Sequence, residues 1–473
     1  MRRLAGLVLA LCAVLPCAGA AATPRLAPVR TAAPASLGAL DVIALEICYT
    51  TVLARYYKPV EPAELLAGAR GAIVAYLRSR GIANPSVPAF SPHADRYRAE
   101  SEIDRDVALA VARYPARVKT ADLVAKTIAG ELAVLHDPYS LLFPAPEFKR
   151  FVGFLDGRPA AGIGAELDVE PQTRTVRVVD VFPESPAESG GLQPGDRITS
   201  IDGAPPPVTT SAAVAAALRG APGTTVRIGF TRGEIAHEPV ALVRKIVTPL
   251  DVTGRMLPNA VGYVRIRSFG AQSAQQLAAV LARLRAAGAR TYAIDLRANG
   301  GGYRDAAIAI ASHFVRGTIV TTQERVGKPQ TFGAKAGIAV LDAPLAVLVD
   351  GDTASAAEIV AGAIQDDKAG TLVGTRTFGK GLVQETFALP DGGAIKLTTA
   401  RYVTPAGRDI DGVGITPDVV VALPPGAHPG EPGSDPQLDR ALEILAGGRV
   451  SVTYTETASR TASRRARPRS TRT

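Results

Sequence analysis

The chain has 473 residues, 47% of them hydrophobic and 21% charged, a balance that excludes a disordered or fibrous protein and leaves room for two or three domains with a substantial buried core. Its formal charge of +9 invites a nucleic-acid reading, but the excess sits at the two ends. Arg2 and Arg3 open the chain, and Arg460, Arg464, Arg465, Arg467, Arg469 and Arg472 crowd its last 14 residues, leaving the body between them close to neutral.

Residues 1–20 read as a signal peptide: two arginines, an apolar run from Leu4 to Leu15, and the small-residue site Ala18, Gly19, Ala20. Retention as an anchor is the alternative, against which the short apolar core argues. A lipoprotein signal is disfavoured because Pro16 precedes Cys17. Cys12 and Cys17 fall within this peptide, so Cys48 is alone in the mature chain. That excludes an internal disulfide and a cysteine metal cluster, and an exported protein, periplasmic or extracellular, is expected.

Residues 21–39, rich in Ala and Pro, read as a linker, and residues 40–159 as a helical region. Its helical stretches are LDVIALEICYTTVLARYY, EPAELLAGARGAIVAYLRSRG with Pro62 in the first turn, and TADLVAKTIAGELAVLHD with Thr120 as N-cap; ANPSVPAFSPHADRY reads as loop. From about Gly162 the pattern changes to short β-type runs, TVRVVDVF and TTVRIGFTR, around the turn-rich SPAESGGLQPGDRITSIDG, with one helix, SAAVAAALRG. From Val261 apolar strands alternate with helical stretches: VGYVRI, AQQLAAVLARLRAAG, YAIDLR, DAAIAIASHFV, LAVLVD and SAAEIVAGAIQDD. That alternation predicts an α/β core with flanking helices. Residues 425–473 read as an extension with a short helix at PQLDRALEILAG and a disordered Arg-rich tail that allows weak contact with an anionic surface.

The stretch DGDTASAAEI places Ser355 where the strand LAVLVD turns into a helix. A serine there is usually a cap. It is also where a nucleophile would find the amide of Ala356 and the positive end of the helix dipole beside it. The five histidines, His93, His136, His237, His313 and His428, show no motif linking them to Ser355. Lys380, between two glycines and beside Phe378, Leu382 and Val383, has the apolar setting that favours a neutral amine, with Gln384 four residues on. IDLRANGGGY supplies three successive glycines after a strand, whose amides can approach a ligand closely. GIGAEL at 162–167 offers similar amides, Ile163, Gly164 and Ala165, ahead of a strand edge to which an extended peptide can add.

TASAAEI, GTRTFGKGLVQ, IDLRANGGG, GYVRIRSF, LHDPYS and LTTARYVTPAGRDIDGVGITPD together resemble the carboxyl-terminal processing peptidases, or tail-specific proteases, over residues 40–420. The resemblance implies a multidomain α/β and α+β protein: the helical region, an inserted PDZ domain at 160–246, and a peptidase core of the ClpP/crotonase type at 247–424. It implies Ser355 as nucleophile, Lys380 as general base, Gln384 as its orienting partner, and the amides of Gly301 and Ala356 as oxyanion hole. In the PDZ domain it implies Ile163, Gly164 and Ala165 facing a substrate's carboxylate, with Leu218 on the pocket wall. Expected partners are proteins or peptides with free C-termini, without nucleic acid, metal or cofactor; the oligomeric state stays open. Two positions depart from the family pattern, Gly300 where proline is usual and Asp350 where asparagine is common, and the first predicts a less rigid oxyanion loop. The rivals are a PDZ scaffold without catalysis and a Ser-His-Asp hydrolase using His313.

Overall fold

The computed structural model describes residues 38–89, 95–157, 159–170, 175–207, 211–248, 250–424 and 429–447. The expected signal peptide and the Arg-rich tail lie outside these, as does the linker up to residue 37. No described helix is long and apolar enough to cross a membrane.

Four helices open the described chain: α1 (Ala39–Arg55), α2 (Pro62–Ser79), α3 (Arg96–Arg113) and α4 (Thr120–Ala133). Each turns an apolar stripe inward at the three-to-four spacing of a helix, Leu45, Cys48, Tyr49 and Val52 on α1, Leu65, Leu66, Ala69 and Ile73 on α2. Helices α2 and α4 approach backbone to backbone, since a Cβ on Gly68 would lie 2.4 Å from the Gly130 carbonyl oxygen. Two expectations need correction. The helix α3 begins inside the stretch read as loop, capped by the Asp95 carboxylate on the Arg98 N–H at 2.9 Å. Lys119, not Thr120, holds the cap position of α4. A short strand β1 (Leu141–Phe143) and helix α5 (Ala145–Leu155) follow.

The next unit is antiparallel: β2 (Ala160–Gly162), β3 (Ala165–Glu170), β4 (Thr175–Val181), α6 (Pro186–Ser189), β5 (Arg197–Ile201), α7 (Ser211–Leu218), β6 (Thr225–Arg232), β7 (Ile235–Val243) and β8 (Lys245–Val247). Strands β3 to β7 form a sheet in sequential order, which makes β3 its edge, and β2 pairs with β8 where the chain enters and leaves.

The remaining elements are β9 (Val252–Leu257), β10 (Val261–Ile266), α8 (Ser273–Ala286), β11 (Thr291–Asp295), α9 (Arg304–Ala311), β12 (Thr318–Glu324), β13 (Gln330–Gly333), β14 (Leu345–Val349), α10 (Ala356–Asp366), β15 (Thr371–Gly374), β16 (Leu382–Ala388), β17 (Ala394–Val403), β18 (Val419–Val420) and α11 (Pro436–Leu445). They build a sheet in the order β18, β15, β14, β11, β10, β9, parallel except at the β9 edge. Apolar clusters cover both faces, one with α8, α9 and α10, the other with α11, which is why β14 is buried at every residue. A second, antiparallel sheet joins β1, β17, β12 and β13, with β16 also paired to β17. In open α/β sheets, ligands bind beyond the carboxyl ends of the strands. Here the adjacent strands β11, β14 and β15 deliver the three glycines, Ser355 and Lys380 to that one edge.

Candidate active site

Ser355 sits at the cap of α10 with φ 58° and ψ −117°. A positive φ on a serine is strained, and it is the backbone of a sharp strand-to-helix turn that pushes a side chain outward. The cap itself is closed by other groups: the Ser355 N–H donates to the Glu358 carboxylate at 2.9 Å, and the Glu358 N–H donates to the Ser355 carbonyl at 2.9 Å. The Ser355 side chain makes no capping hydrogen bond. Thr353, the other hydroxyl of this stretch, is fully buried and donates to the Leu296 carbonyl at 2.9 Å. Asp350 accepts from the N–H groups of Ala298, Asp352 and Thr353, so its carboxylate braces the turn.

Glu358, itself fully buried, is the centre of the arrangement. One oxygen accepts from the N–H groups of Ser355 and Lys380, each at 2.9 Å; the other accepts from the Thr377 hydroxyl at 2.6 Å and the Gly379 N–H at 2.8 Å. The loop after β15 is thereby fastened to the start of α10. Phe378 N–H adds a bond to the Thr353 carbonyl at 3.0 Å, while its side chain stays exposed.

The Lys380 amine rests over the Tyr139 ring, 4.8 Å from its centroid. Burial pushes its pKa down to about 8, aided by the nearby charge of Lys396 and opposed by Asp137 and Glu358. Gln384, on β16 just past a register shift at Val383, donates its amide to the Thr398 hydroxyl at 3.4 Å. Thr398 is buried on β17, and its N–H donates to the Ser140 hydroxyl oxygen at 3.1 Å.

The glycine loop closes the other side. Gly301 has φ +101°, and a Cβ built there would sit 2.9 Å from the Ser355 Cβ and 2.9 Å from the Ala356 nitrogen. Only glycine allows that approach. The Gly301 N–H donates to Asn299 Oδ1 at 2.9 Å, within its own loop. Ala356 opens α10, where an N–H has no upstream carbonyl in its helix. At Gly300 a Cβ would meet nothing within 4 Å. The loop's root is rigid: Arg297 bonds Asp295, Asp435 and Gln437, at 2.6 Å, 2.7 Å and 2.9 Å, and Tyr263 donates to Asp295 at 2.6 Å. Burial alone would raise the Asp295 carboxyl; the Arg297 guanidinium overrides it and holds it at about 2.

His313 lies past α9 and bonds the Ala339 backbone, and burial pushes its pKa down. A cleft lined by Pro344, Leu345, Gln365, Lys368, Thr371 and Asp418 opens at the amino ends of β14 and β15, away from these loops.

Along the antiparallel unit, Gly164 takes φ +74° and packs so closely on Ser185 that a Cβ would lie 2.3 Å from the serine Cβ. The Ile163 and Gly164 carbonyls accept from the N–H groups of Ala187 and Phe182, and Ala165 starts β3 opposite Val181. Ile163 and Leu218 are both buried in one apolar cluster. Arg267, beyond β10, bonds both Glu166 and Asp180, two carboxylates facing each other across β3 and β4. That contact docks the unit on the core.

Sequence reasoning missed Glu358, Tyr139, Thr398, Lys396 and Arg267. For Glu358 a signal existed: Ser355 to Glu358 has the S-x-x-E spacing of a capping box.

A peptidase built on an α/β core with a docked peptide-binding module is the class these features define, and the matches agree. Residues 260–421 match Peptidase family S41, and residues 177–232 match the PDZ domain. A carboxyl-terminal-processing protease of Synechocystis sp. is 37% identical over 325 residues, covering 67% of this chain and 75% of that protein. One from Picosynechococcus sp. is 36% identical over 343 residues, covering 69% and 80%. The solved structure of a putative S41 protease from Bacteroides fragilis superposes with a TM-score of 0.54 at 17% identity, over 85% of this chain and 97% of the other, which supports the shared fold. The protein is a serine endopeptidase acting on peptide or protein substrates. The chain belongs to the carboxyl-terminal-processing proteases of peptidase family S41.

Proposed function

We propose that Ser355 is the nucleophile and Lys380 its general base, and that the substrate is held by its free C-terminus on the PDZ domain. The supporting observation is the shared Glu358 oxygen, which fixes the backbones of Ser355 and Lys380 to one atom. The neutral Lys380 amine takes the proton as Ser355 Oγ attacks the scissile carbonyl, and the ammonium then gives it to the leaving amine. The Ala356 N–H and the Gly301 N–H stabilise the oxyanion; Gly301 does so by exchanging its bond to Asn299 for one to substrate. Gln384 orients the amine without adding charge. Water then hydrolyses the acyl enzyme with Lys380 again as base.

On the PDZ domain, taken as residues 160–246, the amides of Ile163, Gly164 and Ala165 receive the terminal carboxylate, the free edge of β3 receives the peptide strand, and Leu218 backs the pocket. The peptidase core is taken as residues 247–424. Export of the chain after removal of residues 1–20 completes the reading. It is tested by incubating the mature protein with paired peptides ending in a free acid or an amide and identifying products by mass spectrometry. Faster cleavage of the free acid is expected, because a hydrogen bond to a charged group contributes about 1.5–3 kcal/mol; equal cleavage of both counts against capture by the carboxylate.

A further inference from the structure

The turn between α4 and β1 reaches both side chains assigned to the base. Asp137 accepts from the Tyr139 N–H at 2.9 Å and the Ser140 hydroxyl at 2.6 Å, which fixes the turn. Tyr139 then offers its ring face to the Lys380 amine at 4.8 Å, and Ser140 leads through Thr398 to Gln384. The turn is anchored to α1 through Tyr56, whose hydroxyl donates to the Leu135 carbonyl, and to β17 through the Thr398 N–H on the Ser140 hydroxyl oxygen. A lysine side chain carries about 2 kcal/mol of rotamer entropy, so a free amine at the end of four rotatable bonds needs a surface to hold it.

We infer that Tyr139 is a positioning residue for Lys380: its ring is the platform on which the amine is held. This rests on Lys380 being the base. The N-terminal helical region thus carries one wall of the site, reaching Lys380 through the Tyr139 ring and Gln384 through Ser140 and Thr398. The charged and titratable groups around this contact are Asp137 on the same turn, Glu358 on α10, Lys396 on β17 and Asp411 beyond β17. The ring face attracts the ammonium form, so it raises the lysine pKa while burial lowers it.

The test compares Tyr139→Phe with Tyr139→Leu, each checked by thermal melting, in pH profiles of kcat and KM, alongside Lys380→Ala. Tyr139→Phe keeps the ring and should retain the parental kcat and acid limb. Tyr139→Leu keeps an apolar, bulky side chain but loses the ring face. Its kcat should fall about tenfold or more with KM near parental, and its acid limb should move down by about half a pH unit. A merely structural role would not move that limb. A parental kcat in Tyr139→Leu, an unmoved limb, or an equal loss in Tyr139→Phe overturns the inference. Those results with an inactive Lys380→Ala leave the base standing, whereas turnover by Lys380→Ala removes the base itself.

Discussion

Ser355 and Lys380 present their backbone N–H groups to the same oxygen of Glu358, each at 2.9 Å. The two residues stand on different loops, so this carboxylate sets their spacing independently of either side chain.

Replacing Glu358 by Gln turns one of the two oxygens into a donor. At least two of the four donors around it then lose their acceptor in a fully buried place. Each unsatisfied group costs about 1–3 kcal/mol, so Glu358→Gln should lower the unfolding free energy by about 2–6 kcal/mol and strongly reduce kcat. Denaturant unfolding and turnover, measured together, check this; unchanged stability would remove Glu358 from the account.

Gly301 and Gly300 should respond in opposite ways. A Cβ at 301 meets Ser355, Ala354 and Ala356 at 2.9 Å with φ +101°, and one at 300 meets nothing. Gly301→Ala should therefore lose nearly all activity while Gly300→Ala keeps it. Equal tolerance of both substitutions in a turnover assay contradicts the close approach.

Acid should weaken the root of the glycine loop. Asp295 is held at about 2, below the ordinary 3.8 of an aspartate, so the unfolded chain takes up its proton first as pH falls. The stabilisation is fully present above about pH 4 and is lost as pH drops toward 2. It amounts to roughly 2 kcal/mol. Comparing unfolding free energies at pH 6 and pH 3 checks it: the drop should be smaller in Asp295→Asn than in the parent, and an equal drop speaks against it.

Much of the fold was legible because its signals are local. The alternation from Val261 onward became β10, α8, β11, α9, β14 and α10, and Pro62 does open α2. Helix α3 was not among the stretches read as helical because Pro85, Pro88 and Pro92 precede it and hid a helix whose apolar positions, Ala99, Ile103 and Val107, keep regular spacing. The second sheet was illegible for another reason: β1 comes from the helical region and pairs with β17 far along the chain. Ser355 and Lys380 stood out as candidates because an apolar lysine between glycines and a serine at a strand-to-helix turn are unusual locally. Tyr139 and Thr398 meet Lys380 and Gln384 only through long-range packing, which no short motif encodes. Glu358 lay between these cases, its cap visible in the spacing and its grip on Thr377, Gly379 and Lys380 not.

The measurement that bears most directly on the proposed mechanism is the pH profile of turnover in the parent and in Lys380→Arg, with folding confirmed by thermal melts. Burial holds the Lys380 pKa at about 8, and the base must be neutral, so parental kcat should rise with pH through that value and level off above it. Arginine stays protonated at any usable pH. Lys380→Arg should consequently be as inactive as Ser355→Ala, while His313→Ala cleaves at close to the parental rate. Substantial turnover by Lys380→Arg, or its loss in His313→Ala, would contradict a lysine base.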